Sequence, residues 1–223
     1  RREFIVGGEG ARACGDKRSE PARLVHVRAR VGAVQLLWKC LVSDEQYVSE
    51  SGWESAILDD CPFHPEGGCG LERLGTYTRV EPVGVRVARW WCPKRRASIS
   101  LLPSFLAARL SGTLAAVEDV VVKVEAAGGV AAAVDALHPP DAADAIGLVC
   151  ALRSIRRRVA AIRAALLAIA TLMPDRFAGV LPTLGSFRAR LGTERVLVAL
   201  RDLAERHLRA LPVPLGFGAR AGR

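Results

Sequence analysis

Cys61-Pro-Phe-His64-Pro-Glu-Gly-Gly-Cys69, answered 23 residues further on by Cys92-Pro93, is the stretch on which the reading of this chain turns. Thiolate and imidazole are the ligands zinc prefers, and a structural site closes all four tetrahedral positions with protein side chains. Cys61 and His64 are spaced C-x2-H, close enough to share one ion across a tight turn. Pro62 and Pro65 restrict that turn. Gly67 and Gly68 let the backbone fold back toward Cys69. The remaining cysteines, Cys14, Cys40 and Cys150, have no patterned partner, so the six do not form a disulfide framework.

Between the two cysteine clusters the sequence predicts a hairpin. Glu72–Val80 and Val83–Trp91 carry Tyr, Thr, Val and Trp, residues that fit a pleated surface, and Pro82 and Gly84 mark the reversal. Ligand turn, hairpin, second ligand turn is the layout of a zinc ribbon. A full ribbon ends on a second C-x2-C, whereas here Arg95 stands at the expected ligand position after Cys92. A zinc site therefore needs Cys61, His64, Cys69 and Cys92 together, a Cys3His set. The alternative is a ribbon that has lost its metal and persists as a small apolar hairpin.

Charge is distributed unevenly. The chain of 223 residues has a formal net charge of +9. Residues 61–112 hold 8 basic and 3 acidic residues, and residues 141–223 hold 14 and 6. Localised positive surface is the footprint of a polyanion binder, although an Arg-rich composition also produces it without one. In the ribbon, Arg79, Arg86 and Arg89 interleave with Tyr77, Trp90 and Trp91, and Lys94, Arg95 and Arg96 follow Cys92. Such residues contact phosphates and stack on bases, while at least one of the tryptophans belongs to a small core.

Helical periodicity takes over after Pro103. Phe105–Leu110 is a short helix or turn, and Ser111-Gly112-Thr113 supplies a cap. Leu114, Val117, Val121 and Val124 mark one face of a helix that Gly128-Gly129 ends. Val130–Leu137 is a second, shorter helix. A long helix runs from Asp141 to about Met173, with Asp141 and Asp144 in its first turn. Ile146, Val149, Leu152, Ile155, Val159, Ile162, Leu166 and Ile169 form its apolar stripe. Arg153, Arg156, Arg157, Arg158 and Arg163 stand on its other face. Helix, glycine turn, short helix and arginine-bearing helix is the order of a helix-turn-helix unit with a third helix attached. The arginines suit phosphate contact better than base reading; a solvated helix face is the competing explanation. A last helix is expected over Thr193–Leu211, with Val196, Leu200, Leu203 and Leu208 inward and Arg195, Arg201, Arg206 and Arg209 outward. Pro212–Arg223 is expected to be a loose tail.

The expected fold is thus α+β and mostly α: a small zinc-ribbon-like hairpin followed by a helix-turn-helix-like bundle with one long helix. Its expected parts are a poorly organised head over 1–60, the ribbon over 61–103, the helices over 104–173, and an amphipathic helix and tail over 174–223. No stretch reaches ~18 uninterrupted apolar residues, so no membrane span is expected. The metal motif without a secretory signal reads as bacterial cytoplasmic chemistry. The only Met is Met173 and the first residue is Arg1, so a fragment or an upstream-extended reading frame is expected.

Cys61-Pro-Phe-His64 through Cys69-Gly70, Gly75-Thr-Tyr-Thr-Arg79, Arg89-Trp-Trp-Cys-Pro93 and Ser100-Leu-Leu-Pro103 together resemble the zinc-binding N-terminal regions of bacterial insertion-sequence transposases and related helix-turn-helix proteins. The resemblance covers roughly residues 61–160. It implies site-specific DNA binding near mobile-element ends, with Cys61, His64, Cys69 and Cys92 as the ligands. The catalytic half of such transposases needs Asp and Glu gathered on a strand-rich core to hold two metal ions, and residues 141–223 provide no strand series. The implied protein is a non-catalytic DNA-binding relative, regulatory, accessory or a truncated remnant. A helical interaction scaffold, dimerising through Ile155–Ile169 or Leu200–Leu208 without nucleic acid, is the alternative. An enzyme built on His207 with Asp202 and Glu205, or on Cys150 with His138, has no nucleophile elbow, phosphate loop or carboxylate pair behind it, and no small-molecule substrate is evident.

Overall fold

The computed structural model describes residues 33–137 and 145–217. Within them, a four-stranded sheet precedes a layer of helices, an α+β arrangement. The strands are β1 (Ala33–Trp38), β2 (Glu72–Thr78), β3 (Arg86–Cys92) and β4 (Ala97–Pro103), in the order β1-β4-β3-β2. β2, β3 and β4 form an antiparallel meander, and β1 lies parallel to β4 with Ala33 opposite Ser98 and Trp38 opposite Pro103. The expected hairpin is therefore two strands of a larger sheet. A bulge between Arg73 and Gly75 leaves Leu74 as the extra residue, half exposed.

The head was expected to be poorly organised; its described part is not. β1 closes one edge of the sheet, and α1 (Asp44–Ser49), capped by the Ser43 hydroxyl, brings Tyr47 into the interior. Tyr47 is fully buried, its hydroxyl donates to the Arg86 carbonyl at 2.8 Å, and its ring meets Trp53 and Phe105 edge-on. Val25, Val27 and Val31, which alternate partly in the sequence, lie outside the described residues. What the sequence concealed is that a short apolar block such as Leu36-Leu37-Trp38 pairs with a strand about 60 residues later, a non-local choice that periodicity does not encode.

Both sheet faces carry apolar side chains, in different places. Ile99, Leu101, Ala88 and Cys92 lie on one face, packed with Leu36, Trp90, Ala56, Leu58, Cys61 and Cys69. Val87 and Leu102 lie on the other, beneath Tyr47, Leu106 and Ala108.

The helices are α2 (Leu114–Ala126), α3 (Val130–Leu137), α4 (Ala145–Leu172), α5 (Pro174–Phe177), α6 (Leu184–Leu191) and α7 (Val196–Leu203). Thr113 caps α2 as its sequence predicts, accepting from the Ala116 N–H at 3.0 Å. Gly128 takes a left-handed φ of 74° between α2 and α3, which an L side chain resists. Ile155, Val159, Ile162, Leu166 and Ile169 of α4 are buried in the one helical core, where α4 packs against α2, α3 and α5. Of the expected stripe, Leu152 is half-buried and Val149 is 52% exposed. Asp141 and Asp144 lie outside the described residues.

Three C-terminal expectations are corrected. α6 appears where glycine and proline suggested only punctuation. Its residues 183–192 carry a start and a stop signal, the Thr183 N-cap and Gly192 at φ 64°, and Gly185 sits inside the helix. The expected helix over Thr193–Leu211 is short instead: α7 ends at Leu203 and a 3-10 turn, Glu205–His207, follows. The expected tail is packed as far as it is described, with Pro214, Leu215 and Gly216 buried and the Ala108 N–H donating to the Pro214 carbonyl at 3.0 Å.

Buried charge fixes these last elements. Glu118 and Glu125 are seven residues apart, two turns along one face of α2. The Glu118 carboxylate accepts from the N–H groups of Val196 and Leu197 at 3.0 and 2.9 Å; Glu125 does the same for Leu184 and Gly185 at 2.8 and 3.1 Å. Carboxylates at helix N-termini satisfy orphan donors and favour the macrodipole. One helix thereby sets the start of two others. Arg201, expected outward, is 1% exposed. Its guanidinium donates to the carbonyls of Ser104, Leu106, Pro214 and Leu215, tying the loop after β4 to the C-terminal segment. Burial pulls its pKa down to about 9, with Asp202 opposing, so it remains charged at neutral pH.

Candidate metal centre

Two turns and a strand end bring the four soft side chains together. In the first turn the His64 N–H donates to the Cys61 carbonyl at 3.0 Å, and the Gly67 N–H to the His64 carbonyl at 2.9 Å. Gly67, Gly68 and Gly70 take φ of 82°, 70° and 70°, which swings the chain back and seats Cys69 beside Cys61. Cys92 arrives as the last residue of β3. The turn after it, residues 93–96, joins β3 to β4 with the Arg96 N–H donating to the Pro93 carbonyl at 3.2 Å and Arg96 at φ 52°.

The ligand atoms of Cys61, His64, Cys69 and Cys92 all lie within 4.8 Å of one another. His64 presents Nδ1, 3.6 Å from the Cys61 sulfur and 3.4 Å from the Cys92 sulfur. For zinc bonded to sulfur at ~2.3 Å and nitrogen at ~2.05 Å, a tetrahedron sets sulfur and nitrogen about 3.6 Å apart. The two separations match that edge. The three cysteines are 5% exposed or less, and Ile99, Phe63, Leu71 and Trp90 surround them.

Arg95, at the position of a missing ligand, contributes its backbone instead: its N–H donates to the Cys92 sulfur at 3.4 Å. N–H donation to a thiolate stabilises charge on sulfur and orients it, the outer-shell support a ligating cysteine needs. The electrostatics of the sulfurs are consistent with a cation between them. Burial pushes the Cys61 thiol up, but hydrogen bonds from His64, the Phe63 N–H and the Cys92 and Cys69 thiols outweigh it and bring it down to about 7. Burial and the neighbouring Cys61 and Cys92 sulfurs push Cys69 up. One negative sulfur forms readily, and the next resists until positive charge offsets the first.

The basic residues singled out in the sequence separate into different roles. Lys94, Arg95 and Arg96 are exposed on the turn that follows Cys92. Arg86 is exposed and lies over the Trp53 ring, 5.4 Å from its centroid. Arg79 is half-buried and donates to the carbonyls of Ala107 and Leu110, so its side chain braces a loop. Arg89 points into a cavity on the sheet. Arg153, Arg156 and Arg157 are exposed on α4, while Arg158 is half-buried and 3.7 Å from the Glu81 carboxylate. Arg163 is exposed as well, so the sheet turn presents three exposed cations and α4 four.

No family model, curated protein or solved structure matches this chain. Among the described residues no helix is long and apolar enough to cross a membrane. Of the imagined catalytic groups, His207, Asp202 and Glu205 are exposed and Glu205 pairs with Lys39 at 2.8 Å; His138 lies outside the described residues. Sequence reasoning missed Glu118, Glu125 and Arg201. Glu118 carried a usable signal, a charge set inside the Leu114-Val117-Val121 stripe. Arg201 carried none, because its acceptors are backbone carbonyls far along the chain.

Proposed function

We propose that the protein binds one zinc ion through Cys61, His64, Cys69 and Cys92, and uses the turn fixed by that ion to bind DNA. The carrying observation is the spacing of the four ligand atoms, with sulfur–nitrogen separations of 3.4 and 3.6 Å. The zinc is structural. Four protein ligands leave it no open position for water or substrate, so it supplies folding energy and not Lewis-acid chemistry. It clips the segment before β2 to the end of β3, and that end leads directly into Lys94, Arg95 and Arg96.

Exposed cations on a rigid turn suit phosphate contact, and α4 carries a second set beside the β2–β3 turn, where Arg158 lies 3.7 Å from Glu81. The ribbon, the helix-turn-helix order of α2, α3 and α4, and kinship with transposases all belong to this proposal. The dimerisation alternative is less well supported, because Ile155, Val159, Ile162, Leu166, Ile169, Leu200 and Leu208 are already buried in the chain's own core.

The test combines zinc analysis with DNA titration. One zinc per chain is expected, together with DNA affinity that falls steeply with salt. Replacing Lys94, Arg95 and Arg96 by Ala should flatten the plot of log affinity against log salt by roughly 2 to 3 units, about 0.9 per lost phosphate contact. Binding that ignores salt, or that the triple variant leaves unchanged, would sink the DNA part of the reading without touching the zinc part.

A further inference from the structure

One sheet face carries a polar row above its apolar half. Gln35 of β1 is paired with Ser100 of β4, and Ser100 with Arg89 of β3. Directly paired positions project to the same face, so an amide, a hydroxyl and a guanidinium stand side by side. Ala33 and Ser98 form the next row along that face. Two residues the other way, the face turns apolar at Val87 and Leu102.

Two cavities open over this row, about 490 Å³ and about 260 Å³, and both are lined by Ala33, Gln35 and Arg109. The larger adds Tyr77, Arg89, Ser98 and Ser100; the smaller adds Val34, Pro62, Phe63, Arg209 and Phe217. Among the described residues no carboxylate lines either cavity: Arg89 and Arg109 line the larger, and Arg109 and Arg209 the smaller, without an acidic partner in the lining. Gln35 Oε1 is buried and has no hydrogen-bond partner among the described residues. A buried acceptor left unpartnered costs about 1–3 kcal/mol, so it marks a place where a donor belongs.

Arg109 gives a second, independent sign. It sits at φ 55°, a left-handed conformation unfavourable for a side chain of this size. Its neighbours hold it there: the Ala108 N–H donates to the Pro214 carbonyl at 3.0 Å, and the Ala107 N–H to the Gly112 carbonyl at 3.2 Å. Strained residues of this kind gather where a side chain must be aimed at a ligand.

We propose that this groove binds a free small molecule carrying a phosphate group on a body with O–H or N–H donors, of nucleotide size. Arg89, Arg109 and Arg209 neutralise the phosphate, for which a guanidinium's fork of donors is suited. Ser98 and Ser100 add hydroxyl donors. Gln35 Oε1 needs the opposite, a donor from the ligand, and a bare phosphate oxygen does not provide one. The Tyr77 ring lines the same space and offers a face for a planar group. The combined cavities fall in the ~300–1,000 Å³ range of small-molecule sites. This inference is independent of DNA binding through the turn at Lys94–Arg96.

Calorimetric titration of the full chain with AMP, adenosine and inorganic phosphate tests it. AMP should bind at least about tenfold more tightly than either fragment, because the fragments satisfy the arginines or Gln35 but not both. Arg109→Gly removes the charge and relieves the backbone, so it should keep its melting temperature or raise it, yet weaken AMP at least about tenfold. Arg89→Gln gives a second reading on a regular strand, and should also weaken AMP. The Lys94/Arg95/Arg96 alanine variant should bind AMP as the parent does. No AMP binding at about 1 mM overturns the proposal, as does equal affinity in both arginine variants. AMP binding lost in the alanine variant and displaced by single-stranded DNA would assign the groove to nucleic acid, and also overturn it.

Discussion

Arg201→Met removes the cation at the centre of the C-terminal packing while keeping an unbranched, apolar side chain of similar reach. In the parent protein the guanidinium satisfies four backbone carbonyls, those of Ser104 at 2.8 Å, Leu106 at 2.6 Å, Pro214 at 2.5 Å and Leu215 at 3.1 Å. Each buried acceptor left without a donor costs about 1–3 kcal/mol. The penalties do not add fully, because water enters and the segment relaxes. Losing the cation also removes its own desolvation cost. A net destabilisation of about 3 kcal/mol is expected. With a urea dependence of about 2 kcal/mol per molar for a domain of this size, the midpoint should fall by about 1.5 M. Arg206→Met, on an exposed neighbour, is the control and should stay within about 0.5 kcal/mol. Circular dichroism during urea unfolding gives both numbers. A loss below about 1 kcal/mol for Arg201→Met would refute the view that the loop after β4 and the chain end are held through this one side chain.

Glu118→Gln keeps the shape of the buried cap at Val196 and Leu197 but removes its charge and one acceptor oxygen. It should cost about 1–2 kcal/mol, and Glu125→Gln, which caps the exposed Gly185 end, less; thermal unfolding that ranks them the other way contradicts the assignment. Gly216→Ala would drive a methyl group against the carbonyl oxygens of Leu208 and Leu211, so a loss of about 2 kcal/mol or more is expected. By contrast, Gly185→Ala meets only the Glu125 carboxylate at 3.8 Å and should stabilise α6 by about 0.5–1 kcal/mol. Equal melting temperatures for these two glycine variants would contradict the packing described for the chain end.

Local chemistry made part of this molecule legible. The ligand set Cys61, His64, Cys69 and Cys92 was named from residue type and spacing, and the structure brings all four together. The α2 face, the Thr113 cap and the buried part of the α4 stripe follow from helical period, which is a short-range property. What escaped was long-range. β1 joins the sheet by pairing with β4, and nothing near Ala33–Trp38 announces that partner. Arg201 looks from the sequence like a solvated arginine, because its partners are carbonyls, which every residue carries. The groove was invisible for the same reason: Gln35, Arg89 and Ser100 meet only through strand register, and Arg109 reaches them from the loop after β4. α6 was missed because Gly185 read as a breaker, whereas Glu125 from α2 supplies the capping that Gly185 does not.

Zinc content bears most directly on the central claim. Protein purified under reducing conditions and analysed by plasma mass spectrometry should contain one zinc per chain, and Cys92→Ser, which removes the β3 ligand, should contain almost none and melt at a lower temperature. Absence of zinc from a folded parent protein offered the metal, with a melting temperature unmoved by chelator, would contradict it.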